Sequence, residues 1–297
     1  MRDEQVRSLV ETRVRRPEAI AEAAAARRRP AAPVGEDGRV MIVAADHPAR
    51  GSLGAGKRPL AMADRVDLLD RLCVALSRPG VTGVLGTPDV LEDLLLLGAL
   101  DDKVVFGSMN RGGLAGAAWE IDDRFTAYDA ATLARMGFEG GKMLTRIDLQ
   151  DPATAATVEA CSRAVSDLAA HRLVAMVEPF MASRVDGKLK TELTTAGAIK
   201  ASAIAASLGA TSAYTWLKVP VVDDMAAVAA ATTLPTVLLG GEVREDQDAF
   251  FETWRTALAV PNVIGMVVGR SLLYPADDDV TAAVDGAVGL FPAAVTP

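Results

Sequence analysis

Cysteine and histidine are scarce in this chain of 297 residues. Cys73 and Cys161 are too few for a disulfide framework, and they lack the paired spacing of a structural zinc site. His47 and His171 are the two histidines, and His171 comes before a predicted strand, which leaves too few imidazoles for a catalytic zinc site. We therefore expect an activity that needs neither a metal nor a cofactor.

A basic stripe and a long apolar run are also missing. The first 30 residues mix acids with arginines and contain no apolar segment typical of a signal peptide or a membrane anchor. The formal net charge is −8, which disfavours nucleic acid as a partner. The sequence thus predicts a cytoplasmic protein that binds a small molecule, with neither nucleic acid nor membrane as a partner. We expect it to form a homo-oligomer.

Aromatic residues are few, at 4%, but half of the residues are hydrophobic, which is enough for one large core. The pattern before Gly35 is helical, and residues 30–39 are rich in proline, glycine and charge, as in a connector. We predict an N-terminal helical extension over residues 1–34 and one catalytic domain over residues 35–297.

Short apolar runs alternate with helix-length segments after the connector. Eight such runs predict buried parallel strands: 40–46, 81–87, 103–109, 140–144, 172–178, 213–219, 236–241 and 263–269. A doubly wound open sheet has the same alternation. Eight units over about 250 residues are the usual inventory of a closed barrel, so we predict an α/β fold, a (βα)8 TIM barrel with extra N-terminal helices.

Active sites of such barrels lie at the C-terminal ends of the strands. Lys218 stands in an otherwise apolar run, AYTWLKV, where burial disfavours the ammonium and favours a neutral, nucleophilic amine. Lys142 is the candidate for a second cation nearby, Glu178 for the proton donor and acceptor, and Asp46 for a group that orients or deprotonates a substrate hydroxyl. The structural alternatives are lysines that reach solvent, an ion pair that neutralises a buried lysine, and an aspartate that caps a loop.

Glycine pairs follow the last two strands, where barrels often bind phosphate through backbone N–H groups. Gly240, Gly241, Gly269 and Arg270 are therefore candidate phosphate ligands, and His47 is placed to contact substrate. The segment GSLGAGK at 51–57 matches part of a nucleotide-binding P-loop, but Arg and Pro follow it where Ser or Thr is needed, so we interpret it as a basic loop over the site.

These features resemble the class I aldolase superfamily of deoxyribose-phosphate, tagatose-bisphosphate and archaeal-type fructose-bisphosphate aldolases. The resemblance rests on DHPARG after the first strand, the lysines of strands four and six, VEP on strand five and the two glycine pairs. It implies that Lys218 is the Schiff-base lysine, that Lys142 and Glu178 match residues of the tagatose-bisphosphate enzymes, and that Asp46 matches the DH motif of the archaeal type. The archaeal type commonly has tyrosine in place of Glu178. The whole sequence looks most like an actinobacterial branch associated with myo-inositol catabolism.

The resemblance predicts a lyase, a metal-independent class I aldolase that cleaves a phosphorylated keto sugar. The inositol association implies 2-deoxy-5-keto-D-gluconate 6-phosphate as substrate, cleaved to dihydroxyacetone phosphate and malonate semialdehyde, with Lys57, Arg58 or Arg146 as candidates to bind its carboxylate. A transaldolase that uses the same imine, a deoxyribose-phosphate-type aldolase and a non-catalytic sugar-phosphate-binding barrel remain as alternatives.

Overall fold

Parallel strands form a closed barrel in the computed structural model, which describes residues 3–35, 37–241 and 247–291. Neighbouring strands pair in the order β4-β3-β2-β1-β9-β8-β7-β5, and pairing between β4 and β5 closes the cylinder. The barrel strands are β1 Val40–Ala44, β2 Gly83–Gly86, β3 Val104–Ser108, β4 Gly140–Ile147, β5 Val174–Val185, β7 Thr215–Val219, β8 Thr236–Leu239 and β9 Val263–Val268. The predicted (βα)8 architecture is confirmed.

Helices surround the barrel on its outer face. Several of them begin directly after an aspartate or threonine whose side chain accepts a hydrogen bond from a first-turn N–H, as Thr194 does from Gly197 at 3.0 Å. The helices are α1 Asp3–Arg15, α2 Ala19–Ala26, α3 Arg65–Ser77, α4 Pro88–Leu96, α5 Ala130–Arg135, α6 Ala153–Ala170, α7 Thr195–Ala206, α8 Met225–Ala230, α9 Gln247–Leu258, α10 Arg270–Leu273 and α11 Val280–Val288.

Two large hydrophobic clusters make up most of the core. The larger one joins the outward side chains of the strands to the helices. The smaller one fills the barrel interior with alternate residues of the strands, including Ile42, Phe106 and Trp216. The rings of Phe106 and Trp216 meet with centroids 5.7 Å apart. This apolar filling makes the lower part of the barrel a solid core.

The N-terminal helices are tied to the end of the barrel at which the strands begin. Arg27, just after α2, pairs with Glu139 at 2.9 Å and donates to the carbonyl oxygen of Lys103 at 2.7 Å. Both partners directly precede a strand, β4 and β3 respectively. The helical extension therefore packs beneath the barrel, opposite the end where the strands finish. That this extension is a domain separate from the barrel stays a prediction.

β5 continues beyond the barrel and forms a hairpin with β6, Lys188–Thr191. The sequence predicted a strand that ends at residue 178, whereas β5 extends to Val185. Arg184 ties this hairpin to the segment between β3 and α5 through a 2.8 Å hydrogen bond to the carbonyl oxygen of Ala118. None of the described helices has both the length and the apolar character needed to cross a bilayer.

Candidate active site

A layer of polar side chains lies on top of the apolar barrel interior. Strand alternation places Glu178 two residues beyond Met176 and Lys218 two residues beyond Trp216, so both side chains point inward at the C-terminal end of the barrel. Lys142 points inward from β4 at the level of Met176, one inward position below Glu178, and its amine contacts Glu178. These residues are buried, with 3–10% of their side chains exposed. The structure thus brings together three of the residues that the sequence marks as catalytic candidates, and strand alternation explains why all three point inward.

Glu178 bridges the two lysines. One of its oxygens, Oε1, lies 2.8 Å from Lys218 Nζ, and the other, Oε2, contacts Lys142 Nζ. A single carboxylate thus holds two amines from different strands within reach of the same substrate atom. Neither lysine extends to solvent, which removes the structural alternative that was open for each lysine in the sequence.

Asp46 lies on the other side of Lys142. Its Oδ2 atom is 3.2 Å from Lys142 Nζ, 3.1 Å from a terminal nitrogen of Arg111 and 3.1 Å from the hydroxyl of Ser108, which donates to it. Asp46 is therefore directed into the site rather than toward the following loop. The resulting chain of charges runs from Arg111 through Asp46, Lys142 and Glu178 to Lys218.

Burial and neighbouring opposite charges have opposing effects on the pKa values of these side chains. Burial alone would raise the pKa of Glu178, but Lys142 and Lys218 prevail and lower it to about 2. Burial would likewise raise the pKa of Asp46, yet the charges of Lys142 and Arg111 hold it well below its usual range. Burial lowers the pKa of Lys142 to about 8 against the attraction of both carboxylates. At neutral pH the site therefore contains two carboxylates and a lysine whose proton is held weakly.

The predicted phosphate residues meet on the neighbouring strand ends. Gly269 packs so tightly that a Cβ atom would lie 2.4 Å from the carbonyl oxygen of Ala44 and 2.9 Å from the His47 ring. Gly241 adopts a left-handed φ of +63°, which favours glycine. The guanidinium of Arg270 reaches the carbonyl oxygen of Gly54 at 3.4 Å. Together these residues form a close-packed rim next to Asp46.

His47 is neutral in this setting. Burial, with further contributions from Arg270 and the lysines, lowers the pKa of His47 to about 3 in spite of the nearby Asp46 carboxylate. Its Nδ1 atom is buried and has no hydrogen-bond partner among the described residues. A neutral imidazole can both donate and accept a hydrogen bond, which suits contact with a polyhydroxylated ligand.

The basic residues considered for a distant carboxylate are not brought together. Arg58 pairs with Asp278 at 2.8 Å, and Lys57 is exposed. Arg146 is held by Glu120 and by the carbonyl oxygen of Gly113. The segment 51–57 leads into a turn, and α3 begins only at Arg65, so it does not have the strand–loop–helix form of a P-loop.

Two members of the polar layer have no role in the sequence interpretation. Ser108 ends β3 with the same parity as Phe106, so alternation alone would have identified it. Arg111 comes after the strand, where no periodicity applies, and its 3.1 Å contact with Asp46 depends on the path of the loop. A cavity of about 610 Å³ lies elsewhere, between α6 and the segment that leads into α5, and includes none of these charged groups.

Comparison with known proteins gives one near relative and several distant ones. The crystal structure of Cgl0159 from Corynebacterium glutamicum (Brevibacterium flavum) is 51% identical and has a TM-score of 0.95, and the match covers 98% of this chain and 97% of that one. None of the curated proteins matches the sequence.

Several solved structures with a similar fold and low sequence identity are fructose-1,6-bisphosphate aldolases. A Schiff-base-forming enzyme is 17% identical to this chain, with a TM-score of 0.66. The match covers 92% of this chain and 100% of that enzyme. An archaeal enzyme whose catalytic lysine is bound to a carbinolamine intermediate is 16% identical, with a TM-score of 0.64. That match covers 91% of this chain and 97% of the archaeal enzyme. At 16–17% sequence identity, the similarity between these enzymes and this chain shows a shared fold.

A family model gives the most specific assignment. It is described as Cgl0159-like and matches residues 38–288, which include every barrel strand and the whole polar layer. With this match and the 51% identity to the Corynebacterium protein, the chain belongs to the Cgl0159-like family.

Proposed function

We propose that this protein is a class I aldolase in which Lys218 forms a Schiff base with a phosphorylated keto sugar. One observation carries the proposal: two buried lysines, Lys218 and Lys142, contact the two oxygens of Glu178 at the C-terminal end of a closed barrel. An amine nucleophile, a second cation and a proton carrier in mutual contact are the groups that imine chemistry requires.

Lys218 is the better nucleophile of the two lysines. Lys142 lies between two carboxylates, Glu178 and Asp46, whereas among the described residues Lys218 forms an ion pair with Glu178 alone. We therefore assign the cationic role to Lys142, which has an ion pair on each side, and the nucleophilic role to Lys218. Lys142 then acts as the cation that stabilises negative charge developing on the substrate oxygen.

The first half of the reaction forms the imine. The neutral Nζ of Lys218 attacks the ketone carbon, and the carbonyl oxygen takes a proton to give a carbinolamine. Glu178, 2.8 Å from Lys218, passes the proton that the attacking amine releases to the oxygen, and then relays a second proton from the ammonium of Lys142 to the hydroxyl that leaves as water. The product is an iminium ion that draws electrons from the adjacent carbon–carbon bond. Hydrolysis of the imine at the end of the cycle returns the second proton.

The second half breaks that bond. A carboxylate removes the proton from the hydroxyl group β to the imine carbon, the carbon–carbon bond breaks, and its electron pair moves to the iminium as an enamine. Asp46 lies across Lys142 from Glu178 and is ionised, so it fits this role. The aldehyde leaves, the enamine carbon is protonated, and water hydrolyses the imine to release the ketone product.

The position of the phosphate rim suggests which carbonyl reacts. Gly240, Gly241, Gly269 and Arg270 follow β8 and β9, and β7, which carries Lys218, is the neighbour of β8. A phosphate bound at this rim therefore places a nearby ketone, rather than a distant aldehyde, at Lys218. This arrangement suits substrates that release dihydroxyacetone phosphate.

Among such substrates we propose 2-deoxy-5-keto-D-gluconate 6-phosphate. Attack at its ketone would break the bond between carbons 3 and 4 and give dihydroxyacetone phosphate and malonate semialdehyde. The distant relatives that share the fold include a Schiff-base-forming fructose-1,6-bisphosphate aldolase, which supports the same covalent chemistry. The family resemblance to the inositol-associated branch supports the particular sugar acid.

Borohydride trapping tests the covalent step. The wild-type protein is incubated with the sugar acid phosphate, fructose 1,6-bisphosphate or deoxyribose 5-phosphate, reduced with borohydride and digested for mass spectrometry. We expect an adduct on Lys218, its loss in Lys218→Met, and its persistence in the matched control Lys200→Met, which removes an exposed lysine of α7. An adduct on Lys142 or no adduct with any sugar would contradict the assignment.

Turnover then tests the substrate. We expect kcat/KM to be highest for 2-deoxy-5-keto-D-gluconate 6-phosphate, and a preference for deoxyribose 5-phosphate would show that the ketone placement is wrong. Product analysis with and without an added aldehyde acceptor distinguishes cleavage from transfer of the three-carbon unit.

A further inference from the structure

The charged groups around the two lysines do not balance if both lysines are protonated. Asp46 and Glu178 supply two negative charges, whereas Lys142, Lys218 and Arg111 would together supply three positive ones in the contact chain. Arg50 and Asp123, which also act on Arg111, form an ion pair with each other, and the neighbouring His47 is neutral. The surplus positive charge lies in a site with little solvent, where it is costly.

Arg111 is the most firmly held cation of this group. One terminal nitrogen contacts Asp46 twice, at the carbonyl oxygen (2.7 Å) and at the carboxylate Oδ2 (3.1 Å), and Nε donates to the carbonyl oxygen of Asn110 at 2.8 Å. Asn110 is itself fixed by two hydrogen bonds to the backbone of Leu144, at 2.6 and 2.8 Å. The guanidinium is 6% exposed and cannot retreat to solvent.

We propose that Arg111 is the positioning residue that sets the protonation of the site: it acts as the permanent counterion of Asp46, so that Lys142 and Lys218 share one proton instead of holding two. A guanidinium remains protonated in proteins, whereas a lysine amine can lose its proton. With Asp46 neutralised by Arg111, a single lysine proton suffices for Glu178. The other amine is then neutral and available as a nucleophile.

The pKa of Lys142 agrees with the proposal that the two lysines share one proton. Burial is the main cause that lowers the pKa of Lys142, and Lys218 and Arg111 are the charges that lower it further. In the absence of Arg111, the two carboxylates would face only the two lysines, and the pKa of Lys142 would be higher. Arg111 therefore acts on the nucleophile through Asp46 and Lys142, without touching the reacting atoms.

Acetylation of the full-length protein by acetic anhydride tests this inference. The reagent reacts with neutral amines, and mass spectrometry of peptides gives the extent of reaction of Lys142 and Lys218 at each pH, with the exposed Lys200 as internal reference. The inference rests on the proposed role of Lys218, but this measurement needs no sugar. Its failure is therefore distinct from a failure to trap an imine.

In Arg111→Met we expect the pH at which the two lysines are half-reactive to rise by about one unit, because a positive charge near their amines has been removed. On the acid side of this midpoint, the extent of acetylation should fall about tenfold. Arg111→Lys supplies a cation that can itself lose its proton, so its midpoint should lie between those of the wild type and Arg111→Met. Ser108→Ala removes a hydrogen bond to Asp46 but no charge, and should also leave the midpoint in place. If Arg111→Met does not fold, Arg111→Gln provides the same loss of charge.

An unchanged midpoint in the folded Met or Gln variant would overturn the inference. Equal shifts in Ser108→Ala would also overturn it, because the effect would then follow from the orientation of Asp46 and not from charge. If the wild type forms an imine, the pH at which borohydride trapping reaches half of its maximum should be higher in Arg111→Met by the same amount.

Discussion

Replacement of Glu178 by glutamine changes the charge of the site with almost no change of shape. The amide keeps two polar atoms between Lys142 and Lys218 but can neither carry a proton between them nor neutralise them. We expect turnover to fall by about a hundredfold or more, the usual contribution of proton transfer by a positioned side chain. Trapping on Lys218 should persist on longer incubation, because the amine itself remains.

The same substitution has a consequence for stability that depends on pH. The pKa of Glu178 falls from an ordinary 4.5 to about 2 in the folded chain, which corresponds to about 3 kcal/mol at 1.36 kcal/mol per unit. Because the folded pKa is the lower one, this stabilisation is fully present above pH 4.5 and is lost as the pH falls through 2. The wild type should therefore lose about 3 kcal/mol more than the variant between pH 5 and pH 2.

Urea unfolding followed by circular dichroism at several pH values measures this difference. Glu159→Gln is the matched control, since Glu159 is exposed on α6 and pairs only with a neighbouring arginine of the same helix. A parallel fall in stability for wild type and Glu178→Gln would refute the electrostatic reasoning. Wild-type turnover in the variant would reduce Glu178 to an ion-pair partner.

Other changes separate chemistry, phosphate binding and folding. Lys142→Met should lower turnover by about tenfold or more while the trapped adduct stays on Lys218, and an adduct lost in this variant would reverse the assignment. Gly269→Ala places a Cβ 2.4 Å from a carbonyl oxygen of β1, so we expect a lower melting temperature and a higher KM for phosphorylated substrates, and an unchanged KM would remove the rim from the binding site. Arg27→Met leaves the buried carboxylate of Glu139 with Arg29 as its remaining cation, so we expect a loss of about 2 kcal/mol in chemical denaturation but normal kcat in the folded fraction. Activity should persist in EDTA because an imine needs no metal ion, and a loss restored by zinc would contradict this expectation.

Much of the site follows from two regularities of the sequence. Parallel strands finish at the same rim, and inward residues recur at every second position, so Lys142, Glu178 and Lys218 could be placed together without coordinates. Their order around the barrel then follows from the chain order. The same rule places Asp46 beside them, two residues beyond the inward-facing Ala44 at the end of β1.

Loops and long-range pairs lie beyond these regularities. Arg111 follows β3 without any period, and its direction depends on the hydrogen bonds of Asn110 to β4. The β5–β6 hairpin has a mostly exposed, polar sequence that does not resemble a buried strand. Arg27 and Glu139 are 112 residues apart, and no local pattern predicts their pairing. Such contacts are set by the assembled fold.

The apolar filling beneath the site affects the order of events in the proposed reaction. With Phe106 and Trp216 packed below the lysines, the mouth is the route by which reactants approach from above. The fragment bound to Lys218 and held by the phosphate rim stays in place after cleavage, and the free aldehyde must leave before water can complete the cycle. Steady-state kinetics should accordingly show ordered release, with the ketone phosphate product as a competitive inhibitor and the aldehyde as a non-competitive one.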